Sequence, residues 1–210
     1  MTDHLILGGG RLGGTLAARL AETGHDVTVR VRTPDADEYD ALRGVATVIG
    51  VDAAGPDAEL TFVATPWDAT EQAIRALGDM AGRTVIDCTN PVSYGPTGMA
   101  LSIDANTSAA EMIQAWLPDA HLVKAFNQVG SGILGAPSAL SPAPLMGVAG
   151  DVATAKETVI ALVRDLGFDP FDAGVLSNAR LLEAQALLWM SQAFSGGDPS
   201  GFAFARAQKS

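Results

Sequence analysis

Short aliphatic runs alternate along the chain with longer segments in which apolar residues recur every three or four positions. The first run, residues 5–7, ends in glycines, which is typical of a buried parallel strand. The next segment, residues 12–23, places Leu16 and Leu20 on one face and predicts a helix that Gly24 ends. The same reasoning predicts strands at residues 26–31, 46–51, 60–64, 84–88, 122–126 and 145–148, and a short strand or extended segment at 168–172.

Helical spacing predicts four further helices, at residues 68–80, 108–117, 152–166 and 177–194. Residues 93–107 contain glycines and prolines with little periodicity and predict a long loop, and residues 196–210 predict a tail. Strands that alternate with helices indicate an α/β fold, in which a doubly wound parallel sheet is covered by helices on both faces.

A glycine-rich turn joins the first strand to the first helix and has the pattern G-x-G-x-x-G. In dinucleotide-binding turns the first glycine, Gly8, permits the tight turn, Gly10 lets the backbone approach a pyrophosphate, and Gly13 lets the helix pack against the strand. The unpaired N–H groups and the dipole of the helix then face the phosphate charge. The context favours a Rossmann fold that binds NAD(P) through Gly8, Gly9, Gly10, Arg11, Leu12 and Gly13. The alternative is a glycine-rich turn without a ligand.

The residues after the second strand indicate which dinucleotide binds. Enzymes that use NAD usually place an acidic residue there to hold the ribose 2′-hydroxyl. This chain has Arg32 and Thr33 instead, and the first acidic residue after the strand is Asp35. Because a guanidinium group offers two donors to a phosphate, the segment predicts NADP as the cofactor. Arg30 lies nearby, and the sequence leaves open whether it contacts the 2′-phosphate or is a solvated surface charge.

Three further strand ends carry polar or proline residues that could line the cofactor cleft. Ligands of open parallel sheets lie beyond the carboxyl ends of the strands. Each of these segments taken alone is also compatible with ordinary turn chemistry. Since all three are expected at one edge of the sheet, we predict cofactor contacts from Thr65, Pro66, Trp67, Asn90, Pro91 and Asn127.

Composition and charge exclude several other classes of function. The formal net charge of −11 repels nucleic acid and anionic lipid, so neither is an expected partner. No apolar run is long enough to span a bilayer and no signal peptide is recognisable, so we expect a cytoplasmic protein. The single cysteine, Cys88, ends a predicted buried strand and is expected to pack in the core. The histidines have no zinc-binding spacing, so no metal site is predicted.

Motifs spread over the whole chain resemble the family of coenzyme F-420 (also written F420, a deazaflavin) dependent NADP reductases, which is related to the reductase domain of the STEAP proteins. The matching segments begin with the glycine turn and residues 24–26, and they continue with residues 65–67, 87–91 and 123–127. The most specific segment is 172–183, with the sequence DAGVLSNARLLE, which generic helix capping does not explain.

The resemblance implies hydride transfer between the nicotinamide of NADP and a flavin-like acceptor, either coenzyme F-420 or FMN. It implies an NADP-binding Rossmann domain at residues 1–150 and a small helical C-terminal lobe at residues 151–210. The lobe would cover the nicotinamide and contribute to a homodimer. Arg32 and Thr33 would hold the 2′-phosphate, and Thr65, Pro66 and Asn90 would line the cleft. No catalytic residue is assigned, since in such enzymes the cofactors carry the chemistry.

Two departures and two alternatives bear on the acceptor. Asn127 and Val129 stand where deazaflavin reductases of this resemblance carry histidine and isoleucine, and this part of the chain lacks a cluster of basic residues for the acidic tail of a deazaflavin. One alternative is an NADP-dependent reductase of a small carbonyl or imine substrate, although such enzymes usually carry a longer helical C-terminal domain. The other is a non-catalytic dinucleotide-sensing module, which usually has an acidic residue after the second strand.

Overall fold

The computed structural model describes residues 2–96, 98–195, 198 and 201–207. Its strands are β1 (Asp3–Leu7), β2 (Asp26–Val31), β3 (Thr47–Gly50), β4 (Leu60–Val63), β5 (Thr84–Asp87), β6 (Val92–Gly95), β7 (Gly98–Leu101), β8 (His121–Lys124), β9 (Leu145–Gly150) and β10 (Asp169–Gly174). Its α-helices are α1 (Arg11–Glu22), α2 (Asp40–Arg43), α3 (Trp67–Arg75), α4 (Ala109–Trp116), α5 (Ser131–Gly135), α6 (Ala153–Asp165) and α7 (Ala179–Phe194). Short 3₁₀ helices cover Asp37–Tyr39, Pro137–Ala139 and Leu176–Asn178.

Eight strands form one sheet in the order β10-β9-β8-β5-β4-β1-β2-β3. The six neighbouring strands β8, β5, β4, β1, β2 and β3 are parallel to one another, which confirms the predicted doubly wound α/β fold. The order reverses at β1, whose neighbours are β2 and β4. In open α/β sheets a crevice forms at such a switch point, outside the carboxyl ends of the strands. The glycine turn after β1 therefore lies where a nucleotide is expected.

Buried apolar side chains form one cluster on each face of the sheet. The first contains Leu16 and Leu20 of α1, and the second contains Ile74 of α3 and Ile113 of α4. Helix α7 belongs to both, because its first residue, Ala179, packs in the second cluster and Trp189 near its end packs in the first. It therefore crosses the edge of the sheet from one face to the other.

The strands at one edge run differently from the prediction. β9 is antiparallel to β8, and only the last two residues of each strand pair, Val123 with Gly150 and Lys124 with Ala149. The chain runs from β8 to β9 through α5, which has five residues and spans only about 8 Å. This helix does not carry the chain back to the edge of the sheet at which the parallel strands begin. As a result β9 and the parallel strand β10 extend past the carboxyl ends of the other strands. They form a wall beside the crevice.

Two further parts of the prediction are altered by tertiary structure. The predicted loop at residues 93–107 contains an antiparallel hairpin, β6–β7, which contacts α7. After residue 150, α6 and β10 still belong to the main sheet and its helical layer, so α7 is the helix that corresponds to the expected covering lobe. A domain boundary at residue 150 stays a prediction. No helix in the described part of the chain is long and apolar enough to cross a membrane.

Candidate dinucleotide site

The glycine turn has the geometry that its pattern predicts. Gly8 has a φ of +100°, and a Cβ there would lie 2.7 Å from the carbonyl oxygen of Ala64. A Cβ on Gly13 would lie 2.0 Å from the carbonyl oxygen of Gly8, so only glycine lets α1 approach the turn this closely. A Cβ on Gly10, in contrast, would meet no atom within 4 Å. The space beside Gly10 is therefore open, as close approach of a pyrophosphate requires.

The amino end of α1 has the features of an anion-binding site. Gly10 caps the helix without a side-chain hydrogen bond, and the first turn contains no acidic residue. The first N–H groups of a helix have no partner within the helix, and its dipole is positive at this end. Arg11 and Leu12 lie in this first turn, with the Arg11 side chain exposed to solvent. A cleft of about 560 Å³ adjoins the turn and is lined by Gly9, Gly10 and Arg11 together with α1, Glu38 and Tyr39.

Tyr39 is a residue of this region that sequence reasoning missed. A Cβ on Gly9 would lie 2.8 Å from the Tyr39 ring, so the ring covers the second glycine of the turn. Burial and the neighbouring Glu38 raise the pKa of the Tyr39 hydroxyl, and the charge of Arg32 partly offsets this rise. Tyr39 follows β2 by eight residues, and no local motif connects it to the turn. Only the folded chain brings it there.

Arg30 and Arg32 have different environments. Arg30 is buried, and its guanidinium donates hydrogen bonds to the carbonyl oxygens of Ala53 and Ala76, at 3.1 and 3.3 Å. It therefore fastens the end of α3 to the sheet and is neither a solvated charge nor directed to the glycine turn. Arg32 and Thr33 are exposed just past the end of β2. Their contact with a 2′-phosphate stays a prediction.

Three cations among the described residues have no partner within the chain, and one of them, Arg11, adjoins the glycine turn. Among the described residues, every lysine and arginine except Arg11, Arg32 and Arg164 forms a hydrogen bond or ion pair within the chain. Arg164 lies in the last turn of α6, where the helix dipole favours a cation. Arg11 lies in the first turn of α1, where the dipole disfavours one. A bound anion would remove this conflict.

The residues that follow β4 have different surroundings: some lie beside the glycine turn, and one packs between helices. The main chain of Thr65 lies beside Gly8, and its hydroxyl is 2.9 Å from the hydroxyl of Thr70. Pro66 is exposed and caps α3. The Trp67 ring stacks on Trp116 of α4, with ring centroids 5.8 Å apart. Trp67 thus packs α3 against α4, which differs from the expected role of its side chain as a cofactor contact.

Asn90 and Asn127 face each other at the ends of β5 and β8. The Asn90 amide donates to the Asn127 carbonyl oxygen at 2.8 Å, and the Asn127 amide donates to Asn90 Oδ1 at 3.0 Å and to the Leu182 carbonyl oxygen at 3.3 Å. Gln128 donates to Asn127 Oδ1. Both amide protons of Asn127 are therefore engaged, and the side chain is buried. Asn90 is half-buried and has one amide proton left for a ligand, whereas Asn127 serves to hold Asn90.

Pro91 and Cys88 flank this pair inside the fold. Pro91 is buried, and its carbonyl oxygen accepts a hydrogen bond from the Ser102 amide at the base of the hairpin, so it anchors the hairpin. Cys88 is buried, as predicted for a core residue. Burial raises the pKa of its thiol well above the ordinary value, which leaves it unsuited to nucleophilic chemistry.

A buried group of three charges lies next to these strand ends. The Lys124 ammonium contacts Asp87 Oδ2 at 2.8 Å, Glu183 Oε1 at 2.9 Å and the Thr89 carbonyl oxygen at 2.7 Å. Burial alone would lower the pKa of Lys124, but the two carboxylates raise it above its ordinary value. Burial raises the pKa of Glu183. The sequence signal was a lysine inside a strand that is otherwise apolar, but its partners could not be named from spacing.

Comparisons with known proteins agree with this geometry. Residues 5–91 match the family described as NADP oxidoreductase, coenzyme F420-dependent. This match covers the amino-terminal part of the chain, from β1 to the turn after β5. It is 30% identical over 179 residues to metalloreductase STEAP3 of Rattus norvegicus; this covers 85% of the chain but only 35% of that protein, so the chain spans about a third of the relative's length.

Solved structures show the same fold over nearly the whole chain. An inferred F420-dependent NADP-reductase from Arthrobacter sp. FB24 superposes with a TM-score of 0.88 and 27% identity, covering 98% of this chain and 100% of that one. A reductive aminase from Aspergillus terreus superposes with a TM-score of 0.67 at 22% identity and covers 93% of this chain but 63% of the aminase. The second likeness concerns the fold alone. The aminase is the longer chain, as expected for reductases of carbonyls and imines.

Proposed function

We propose that this chain is an NADP(H)-dependent oxidoreductase that transfers a hydride between nicotinamide and a flavin-like acceptor, either a deazaflavin such as coenzyme F-420 or FMN. The observation that carries the NADP assignment is the position of the two unpaired guanidinium groups, Arg11 and Arg32. Arg11 lies in the first turn of α1 and Arg32 follows β2, the strand that pairs with β1, in a chain of net charge −11. NADP carries a pyrophosphate and a 2′-phosphate, and these anions match the helix end and Arg32, respectively.

The residues of the site fit this cofactor, and their roles follow from their positions. The open space beside Gly10 admits a pyrophosphate to the N–H groups of α1. Arg32 and Thr33 would bind the 2′-phosphate, and Thr65 and Asn90 would lie along the nicotinamide half. When bound, NADP supplies the hydride chemistry, and the protein supplies orientation. This division of labour explains why no catalytic acid–base pair is needed.

The NADP assignment is tested by replacing Arg32 with alanine. A charge-assisted hydrogen bond contributes about 1.5–3 kcal/mol, so Arg32→Ala should weaken NADP⁺ binding by about ten- to a hundredfold and leave NAD⁺ binding unchanged. Titration calorimetry with both nucleotides measures this. Arg75→Ala is a matched control, because Arg75 is ion-paired to Glu71 on the surface of α3. An equal loss for NADP⁺ and NAD⁺ would reject the assignment.

The acceptor is tested by following NADPH consumption with coenzyme F-420, FMN, a quinone, a ferric chelate and small imines in separate assays. The ferric chelate is included because a relative of this chain is a metalloreductase by name. Turnover with a deazaflavin or flavin supports the proposal. Turnover only with imines or carbonyls replaces it by the alternative reductase, and tight NADP⁺ binding without any turnover replaces it by a sensing module.

We also propose that α7 pairs two copies of the chain. Residues 184–194 contain no charged residue. Leu181 and Leu188 are 67% and 54% exposed on this helix, whereas Trp189 on its other side is buried. A helix that is apolar on both sides is typical of a subunit interface.

A further inference from the structure

Lys124 connects three segments of the chain that lie far apart in sequence. One contact is to Asp87 at the end of β5, one is to the main chain of Thr89 after that strand, and one is to Glu183 in α7. Two of these contacts are hydrogen bonds, to Asp87 and to the Thr89 carbonyl oxygen, and the contact with Glu183 is an ion pair at 2.9 Å. The side chains of Lys124, Asp87 and Glu183 are fully buried. Lys124 therefore lies inside the fold and presents no surface to a ligand.

The carboxylates on either side of Lys124 extend the network. Asp87 Oδ1 accepts hydrogen bonds from both the amide and the hydroxyl of Thr89, at 2.8 and 2.7 Å. Glu183 Oε2 accepts one from the amide of Ala109, the first residue of α4, at 3.2 Å. The ammonium thus lies at the centre of contacts that fix the strand-end turn on one side and α7 on the other.

The network surrounds Asn90, the residue that keeps an amide proton available for a ligand. The Thr89 carbonyl that Lys124 binds belongs to the peptide unit that precedes Asn90, so Lys124 sets the orientation of that peptide. The Asn90 side chain is held by Asn127, which in turn donates to the carbonyl of Leu182, the residue before Glu183. Displacement of α7 would therefore loosen Asn90 from both directions.

We propose that Lys124 is a positioning residue: by tying Glu183 of α7 to the strand-end turn, it holds Asn90 in the orientation that binds the nicotinamide half of the cofactor. This inference rests on the proposed NADP binding. It adds that recognition of the nicotinamide half depends on the docking of α7, whereas recognition of the adenosine half depends on the glycine turn and Arg32. The two halves should therefore respond independently to substitution.

Glu183 is the member of the network to replace. Removing Lys124 would leave two carboxylates buried without a cation, and the variant could fail to fold. Glu183→Ala instead leaves Lys124 and Asp87 as a balanced pair and cuts the tie to α7. Glu183→Gln keeps the side-chain shape and can still accept from Lys124, so it should restore part of the effect and provides a foldable second variant. Glu111→Gln is the matched control, because the Glu111–Arg180 pair also joins α4 to α7 but does not touch the strand ends.

The test compares dissociation constants for NADP⁺ and for adenosine 2′,5′-bisphosphate, which lacks the nicotinamide half. In Glu183→Ala we expect NADP⁺ binding to weaken about tenfold, the value of one hydrogen bond, with adenosine bisphosphate binding unchanged. Glu183→Gln should lose less, and Glu111→Gln should match the unmodified chain. If both ligands weaken equally, or neither changes in Glu183→Ala and Glu183→Gln, the positioning role is refuted. Failure of the unmodified chain to bind NADP⁺ at all would instead refute the proposed function.

Discussion

At the residue scale, the glycines of the turn are required for different reasons. Gly8 and Gly13 are needed by the fold, since a side chain at either position would collide with main-chain carbonyl oxygens. Gly10 meets nothing in the protein, so the fold alone does not explain why it is glycine. The open space beside Gly10 fits a phosphate that approaches the backbone closely.

This difference predicts opposite behaviour for two alanine variants. Gly10→Ala should change the free energy of unfolding by less than about 1 kcal/mol, because its backbone is extended and unobstructed, but weaken NADP⁺ binding at least about tenfold. Gly24→Ala should do the reverse, because Gly24 has a φ of +88° and lies at the other end of α1. Chemical denaturation and nucleotide titration measure the two quantities. Unchanged NADP⁺ binding in Gly10→Ala would contradict the phosphate position.

A second prediction at this scale concerns His4. The ring is buried in β1, with its centroid 4.6 Å from that of His25, and burial and the charge of His25 lower the pKa of His4 to about 4. In the unfolded chain the pKa is near 6.5, so between these values the unfolded state binds more protons. Stability should therefore fall as the pH drops from 6.5 to 4, by at most about 1.4 kcal/mol per pH unit from this group.

Denaturant titrations at several pH values in this window check the prediction. His4→Phe keeps a flat ring in the same position beside Phe62 but removes the titrating group. The difference in unfolding free energy between the two proteins should change with pH in this window and level off above it. A pH-independent difference would show that His4 is not the source.

At the element scale, the ends of helices are fastened to the sheet by a few polar side chains. Arg30 does this for α3, because it reaches the carbonyl oxygen of Ala76, the C-terminal capping residue of that helix. The helix dipole is negative at this end, which stabilises a buried guanidinium group without a carboxylate partner. The position also explains why Arg30 and Arg32, although near in sequence, have unrelated roles.

Arg30→Met should therefore destabilise the fold and spare the cofactor site. The lost hydrogen bonds from a charged donor predict a decrease of about 1.5–3 kcal/mol in the free energy of unfolding. NADP⁺ affinity, measured well below the unfolding midpoint, should not change. A large loss of NADP⁺ affinity at unchanged stability would assign Arg30 to the phosphate site after all.

At the scale of the whole molecule, a few unpaired cations contrast with a strongly negative net charge. The net charge of −11 is distributed over a chain in which most described cations are already paired. In the proposed site, Arg11 and Arg32 would therefore provide a local attraction for an anionic nucleotide against an overall repulsive field. Helix α7 contributes at the same scale, since it exposes the apolar side chains of Leu181 and Leu188.

The proposed pairing through α7 predicts a change of mass on a single substitution. The unmodified chain should sediment as a dimer, and Leu188→Glu should sediment as a monomer, because a carboxylate would be buried without a partner at the interface. The helical content measured by circular dichroism should stay the same, since Leu188 is exposed within one copy. An unmodified chain that is monomeric at all concentrations would rule out the pairing.

The sequence by itself determined the features that depend on local pattern. The alternation of strands and helices, the glycine turn and the exposed Arg32 after β2 follow from spacing and from the residues a phosphate-binding turn requires, and the structure has them where they were predicted. The C-terminal helix was also predicted, but not that it crosses from one face of the sheet to the other.

The tertiary structure decided what depends on partners distant in sequence. Strand periodicity would place Arg30 and Arg32 on the same face, but β2 ends at Val31 and only Arg30 follows the strand into the layer of α3. The direction of β9 depends on how far the preceding connection reaches. The partners of Lys124 come from other segments, including α7. Such contacts arise from packing in three dimensions, which local spacing along the chain does not encode.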